Sequence, residues 1–242
     1  MKKPAVHLTL QGKGGVGKSF VSSLVAQYLT TKGEAITCID TDPVNATFHG
    51  YKALNARRIE LIEEGSVLNQ RKFDEMMELI LTEPGTFVVD NGASSYLPLS
   101  SYMVENGVVE MLGEAGKSVV VHTVVTGGQA IIDTLNGLSN LCKNLPADAR
   151  IIVWLNEFFG DIRIDERNFE EMRVYSSNKE RIHGIVRIPR QTSQTFGVDT
   201  QKMLDKKLTF AEVKNGSEFG IMSKQRLAQV QRVIFEQLDA VL

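Results

Sequence analysis

Short apolar runs rich in β-branched residues recur along the chain at residues 6–10, 35–39, 86–89, 118–124, 151–155 and 185–188. Most are continuously apolar instead of alternating, which is the pattern of strands covered on both faces. Between them, apolar residues return at helical spacing: Leu24, Tyr28 and Leu29 after the first run, and Met76, Leu79 and Ile80 before the third. From Met222 a further amphipathic helix is predicted, with Leu227, Val230, Val233, Ile234, Leu238 and Val241 on one face. Strand and helix in alternation predict an α/β fold: a doubly wound, mostly parallel sheet with helices on both faces. No repeat, low-complexity stretch or proline- and glycine-rich linker divides the 242 residues, so one domain over 1–242 is expected.

Charge narrows the function classes. Acidic and basic residues nearly cancel, 29 against 27, which argues against a general polyanion-binding surface. The pairs Arg57-Arg58 and Lys206-Lys207 are bordered by acids such as Glu60 and Asp205, so they read as solvated faces and give no strong nucleic-acid signal. In the predicted C-terminal helix, Glu236 and Asp239 interrupt Lys224, Arg226 and Arg232, a pattern that favours packing on the core over lying on a membrane. No run approaches the ~20 apolar residues of a membrane span. The apolar stretch at 5–10 is too brief for a signal sequence, so a cytoplasmic protein is expected. Neither Cys38 and Cys142 nor the four histidines, His7, His49, His122 and His183, have metal-ligand spacing.

The chemistry begins at the end of the first apolar run. Residues 12–19, Gly-Lys-Gly-Gly-Val-Gly-Lys-Ser, satisfy G-x-x-x-x-G-K-S/T between a predicted strand and a predicted helix. Gly12, Gly14, Gly15 and Gly17, with Val16, let successive N–H groups curl inward as a nest for phosphate oxygens at a helix N-terminus. Lys18 then reaches the terminal phosphates, Ser19 is placed to ligate Mg²⁺, and Phe20 completes the nucleotide-binding stretch. A helix cap is the competing explanation of Ser19, yet a lysine and a serine at the loop's exit have no packing reason to be there. The second lysine, Lys13, is not demanded by an ordinary phosphate loop.

The string Lys13-Gly14-Gly15-Val16-Gly17-Lys18-Ser19 resembles the deviant Walker A signature of the ParA, MinD and nitrogenase iron protein group of dimerising ATPases. In that group the early lysine reaches across the dimer to the partner's nucleotide, so the resemblance gives Lys13, with Lys18, a catalytic role on the transferring phosphoryl group. It implies ATP or ADP with Mg²⁺ as cofactors and an ATP-dependent homodimer. The family carries an aspartate before proline after its second strand, here Asp42, which would orient the attacking water and lie near the metal. Asp40 is equally a support of the turn. The family's polar residue four positions later is replaced by Ala46, which leaves the role of Asn45 open.

The run at 86–89 ends in Asp90, the pattern of a Walker B carboxylate that holds Mg²⁺ through water, although a strand-terminal aspartate can also cap or turn the chain. Residues 91–95 fall where relatives have a second switch, with Gly92 as its hinge. By the same resemblance Asn156, ending the fifth run, would read the adenine edge through its amide, and Arg190 would stack on the base. The chain as a whole, above all residues 12–19, 40–48 and the strand ending at Asp90, is similar to a family of plasmid conjugative-transfer proteins. That resemblance implies a bacterial ATPase assisting conjugation, with a protein partner in the transfer apparatus through which it would sit peripherally at the membrane. Two alternatives from other classes stay open: an ATP-dependent synthetase of the dethiobiotin-synthetase-like group, and a nucleotide-binding recruitment module without turnover.

Overall fold

Strand β5 (Ser118–Thr126) illustrates how the predicted runs become a sheet: Val119, Val121 and Val125 enter one apolar core while Val120 and Val124 enter another on the opposite face. The computed structural model describes residues 3–62 and 69–242. Within them β1 (Ala5–Thr9), β2 (Ile36–Asp40), β3 (Arg57–Arg58), β4 (Thr86–Asp90), β5, β6 (Arg150–Asn156) and β9 (Ile182–Ile188) form a sheet ordered β3-β2-β4-β1-β5-β6-β9, with each neighbouring pair parallel. Every predicted run is one of these strands. The two-residue edge strand β3, and a hairpin of β7 (Arg163–Ile164) and β8 (Arg167–Asn168), had no apolar run to announce them.

The helices lie on both faces. On one side α2 (Arg71–Thr82), α3 (Tyr96–Glu105), α4 (Val108–Glu114) and α5 (Ile131–Asn144) bury Met76, Leu99, Leu112 and Leu138, with α6 (Arg173–Asn178) beside them. On the other, α1 (Lys18–Thr31), α7 (Phe196–Asp205), α8 (Phe210–Asn215) and α9 (Ile221–Val241) bury Leu24, Met203, Phe210 and Ile234. Pro98 is accommodated in α3 because it sits in the first turn, where N–H groups have no intrahelical acceptor. Arg57 and Lys206 pair with Glu83 and Glu218, which lie far from them in sequence.

Helix α9 packs on the sheet through Leu227, Val230, Ile234 and Leu238, while Val233 faces outward. Gln237 stitches it to β9, accepting from Arg187 N at 2.7 Å and donating to Arg187 O at 3.0 Å. Among the described residues no helix is long and apolar enough to cross a membrane. The strand order brings β1 between β4 and β5, and register sets Thr9 and Asp40 opposite Asp90. Three strand ends therefore converge at the carboxyl edge, where open α/β sheets bind ligands.

Candidate functional site

The loop from β1 to α1 takes the backbone path its glycines allow. Gly15 and Gly17 have φ of 74° and 101°, and among the described residues nothing lies within 4 Å of where a Cβ of Gly14 or Gly15 would sit, so the cradle is open. Gly12 serves a close approach instead, since a Cβ there would lie 2.9 Å from Tyr96 Cδ1. Val16 is buried and anchors the loop. The Lys18 side chain runs through the site and its Nζ donates to the Lys13 carbonyl at 2.8 Å. Burial lowers its pKa, opposed by the charges of Asp90 and Asp42. Lys13 itself points outward, 45% exposed, with Nζ 2.8 Å from Asp133 Oδ2 at the start of α5.

The carboxylates divide into three kinds of surroundings. Asp90 is buried: Ser22 Oγ lies 2.8 Å from its Oδ1 and from Thr9 Oγ1, and its Oδ2 has no hydrogen-bond partner among the described residues. Burial pushes its pKa up to about 7, against the Ser19 hydroxyl, with Asp40 adding to the rise and Ser22 and Lys18 opposing it. Asp40 organises the following loop, accepting from Asp42 N at 3.0 Å and His49 N at 2.8 Å. Burial raises its pKa too, which these two N–H groups temper. Asp42 is half-buried, and its Oδ1 closes a turn by accepting from Val44 N at 2.9 Å and Asn45 N at 3.1 Å. Asp42, Asn45, Lys18, Ser19, Ala93 and Ser94 share a cleft of ≈ 460 Å³ with Gly14, Gly15 and Gly17. The two switch-like segments thus face one another over the loop.

A second recess, ≈ 190 Å³ and mostly apolar, begins at the same Gly15 and Gly17 and continues between Phe20, Asn156, Phe158, Phe159, Ile188 and Pro189. Asn156 lies on its wall with both amide ends engaged: Nδ2 donates to Val16 O at 3.0 Å and Oδ1 accepts from Phe158 N at 3.2 Å. It ties the phosphate loop to the end of β6. Arg190 is not part of this recess. Its guanidinium is 67% exposed, 4.0 Å from Asp161, and lines the adjoining cleft with Lys202 and Lys206, because Pro189 and Gln191 on either side take the inward positions.

Residues 8–195 match the CobQ/CobB/MinD/ParA nucleotide binding domain. The chain belongs to that family. Two proteins called TraL from Escherichia coli are 48% and 46% identical to this family member, over 235 and 234 residues, covering 97% of each chain in both cases. Among solved structures, the septum site-determining protein MinD of Pyrococcus horikoshii, complexed with Mg-ADP, aligns with a TM-score of 0.58 at 16% identity over 98% of this chain and 96% of that one. This likeness establishes a MinD-like P-loop NTPase fold for the seven-stranded sheet.

Some residues that build this family member's site were not visible in the sequence. Ser22 has no motif of its own and acts because one helical turn after Ser19 brings it to Asp90. Tyr96 closes over Gly12, and Thr41 Oγ1 donates to Asp90 O at 3.0 Å. Phe158 and Phe159 follow Asn156 directly, an aromatic pair after a strand that could have marked the apolar recess.

Proposed function

We propose that the protein is an ATP-hydrolysing molecular switch that assists plasmid conjugative transfer, in which ATP joins two copies across the phosphate-loop face and hydrolysis separates them. The observation that carries this reading is the continuity of the two recesses. A polar cleft with Lys18, Ser19 and Asp42 meets an apolar one at Gly15 and Gly17, the layout a nucleoside triphosphate requires. The conjugative assignment rests on the 46–48% identity to the TraL proteins.

The residues suit Mg²⁺. Ser19 offers a hydroxyl, and the orphaned Asp90 Oδ2 and nearby Asp42 offer the carboxylate environment that a hydrated ion prefers. Ser19 would hold it directly and Asp90 through water, and when bound it would neutralise charge on the terminal phosphates. Gly12 to Gly17 would wrap the phosphates with backbone N–H groups. Lys18 would release the Lys13 carbonyl to reach the γ-phosphate, and Asp42 would orient the attacking water. Asn156 would keep the loop in register with the base recess, a positioning role instead of the base-reading one the resemblance implied.

Two features support association through this face. Lys13 stands on the rim, restrained by an exposed ion pair of the kind worth at most about 1 kcal/mol, so it is free to exchange partners. Exposed Val44 lines the polar cleft, Phe158 the apolar recess and Val198 the cleft adjoining it, giving the site an apolar rim. The test is phosphate release from MgATP by the isolated protein, without co-substrate. Turnover by the wild type, and its loss by about 10³-fold in Lys13→Ala and Lys18→Ala, is expected. Turnover that appears only with a second substrate would favour a synthetase, and full activity of Lys13→Ala would remove the shared-site mechanism.

A further inference from the structure

The wall of the apolar recess holds one hydroxyl whose presence its surroundings do not explain. Thr200 lines the recess from α7, and its Oγ1 is buried without any hydrogen-bond partner among the described residues. A threonine inside a helix ordinarily donates to the carbonyl four residues earlier. Thr200 makes no such bond, and a buried unsatisfied hydroxyl is a standing cost that a valine of the same shape would avoid. Helix α7 is also held firmly beside the recess, because Arg226 Nε of α9 donates to Asp199 Oδ2 at 2.6 Å in a largely buried pair. The orphaned hydroxyl therefore sits on a fixed wall.

Its competitor for the nucleotide base, Asn156, is already tied down at both ends of its amide. One N–H goes to Val16 O and the oxygen accepts from Phe158 N, so the amide cannot turn towards a base without releasing the phosphate loop or the end of β6. A threonine in a helix has two accessible χ1 wells, so its hydroxyl and methyl can exchange places without backbone movement. We infer that Thr200 is the base-reading residue of this site: its hydroxyl turns into the recess and hydrogen-bonds the edge of the bound adenine, while Phe20, Phe158, Ile188 and Pro189 enclose the ring. This rests on the nucleotide reading above and adds to it a specificity-determining contact from α7.

The experiment is calorimetric titration of the full chain with MgATP and, separately, with inorganic tripolyphosphate, which offers the phosphate end without a base. Thr200→Val should weaken ATP binding about tenfold, leave tripolyphosphate binding unchanged and leave thermal stability equal or higher, since an unpaired hydroxyl has been removed. Thr200→Ser should retain the wild-type ATP affinity. Equal ATP affinity in the wild type and Thr200→Val would overturn the assignment. So would a parallel loss of both ligands, which would mean that the substitution disturbs the site as a whole. A wild type that binds neither ligand would instead overturn the nucleotide reading itself.

Discussion

At the scale of single residues, Gly92 lets the two switch-like segments touch: a Cβ there would lie 2.7 Å from Asp42 Oδ1 and 2.9 Å from Pro43 Cδ. The Asp42 carboxylate can rotate away, but Pro43 Cδ is fixed in its ring, so Gly92→Ala must displace the carboxylate and the turn it closes. In the proposed mechanism that moves the water-orienting carboxylate, and misplacement of about 1 Å is enough to slow a positioned reaction some 10²-fold. Gly92→Ala is expected to fold normally by circular dichroism and to release phosphate about 10²-fold more slowly at saturating ATP. A wild-type rate would show that Asp42 is not where the chemistry is set. The positions of the phosphate loop, Asp42 and Asp90 were legible because a short motif fixes residue types at fixed spacing beside predicted strand ends. Ser22, Tyr96 and Thr200 were not, because only folding makes them neighbours of the site. Arg190 was misplaced because sequence gives its position along the chain but not the side on which its guanidinium emerges.

Elements were readable in proportion to the apolar surface they bury. The six runs became strands because both faces of each are covered, whereas β3, β7 and β8 are two residues each and leave no pattern. The helix that follows Gly92 was equally hidden, since a proline lies in its first turn and Ser100 and Ser101 interrupt its apolar residues. Helix α9 was predicted to pack on the core, and its last turn lies tightly over Gly184, where a Cβ would meet Val241 Cγ1 at 2.5 Å. Gly184→Val should force the end of α9 from β9 at a cost of about 1–3 kcal/mol. Denaturant unfolding would measure the loss, and hydrogen exchange should localise it to the last turns of α9. Unchanged stability would mean that α9 is not held at this contact.

Across the whole molecule, a buried polar column crosses the sheet. Trp154 Nε1 donates to His122 Nδ1 at 2.9 Å, which leaves the neutral ring's proton on Nε2, facing His7 Nδ1 at 3.0 Å. Burial, with the Arg150 charge adding to it, pushes the pKa of His122 down to about 3 from 6.5. The folded state thus binds fewer protons than the unfolded chain between those values, so the contribution of His122 to stability is complete above about pH 6.5 and is lost as pH falls towards about 3. Asp90, raised to about 7, acts oppositely across part of this window, which makes the difference between wild type and His122→Asn the quantity to measure. That difference should shift against the wild type by up to about 1.4 kcal/mol per pH unit on acidification. A pH-independent difference would contradict a neutral buried His122.

In the proposed switch, nucleotide joins two whole copies through the face bearing Lys13 and the exposed apolar rim. The most direct measurement is the solution mass of the wild type and Asp42→Ala, each with MgADP and with MgATP. Monomers are expected with ADP and a dimer with ATP, longest-lived in Asp42→Ala because hydrolysis is trapped. Both proteins remaining monomeric with ATP demonstrably bound would contradict it and leave Lys13 without a partner to reach.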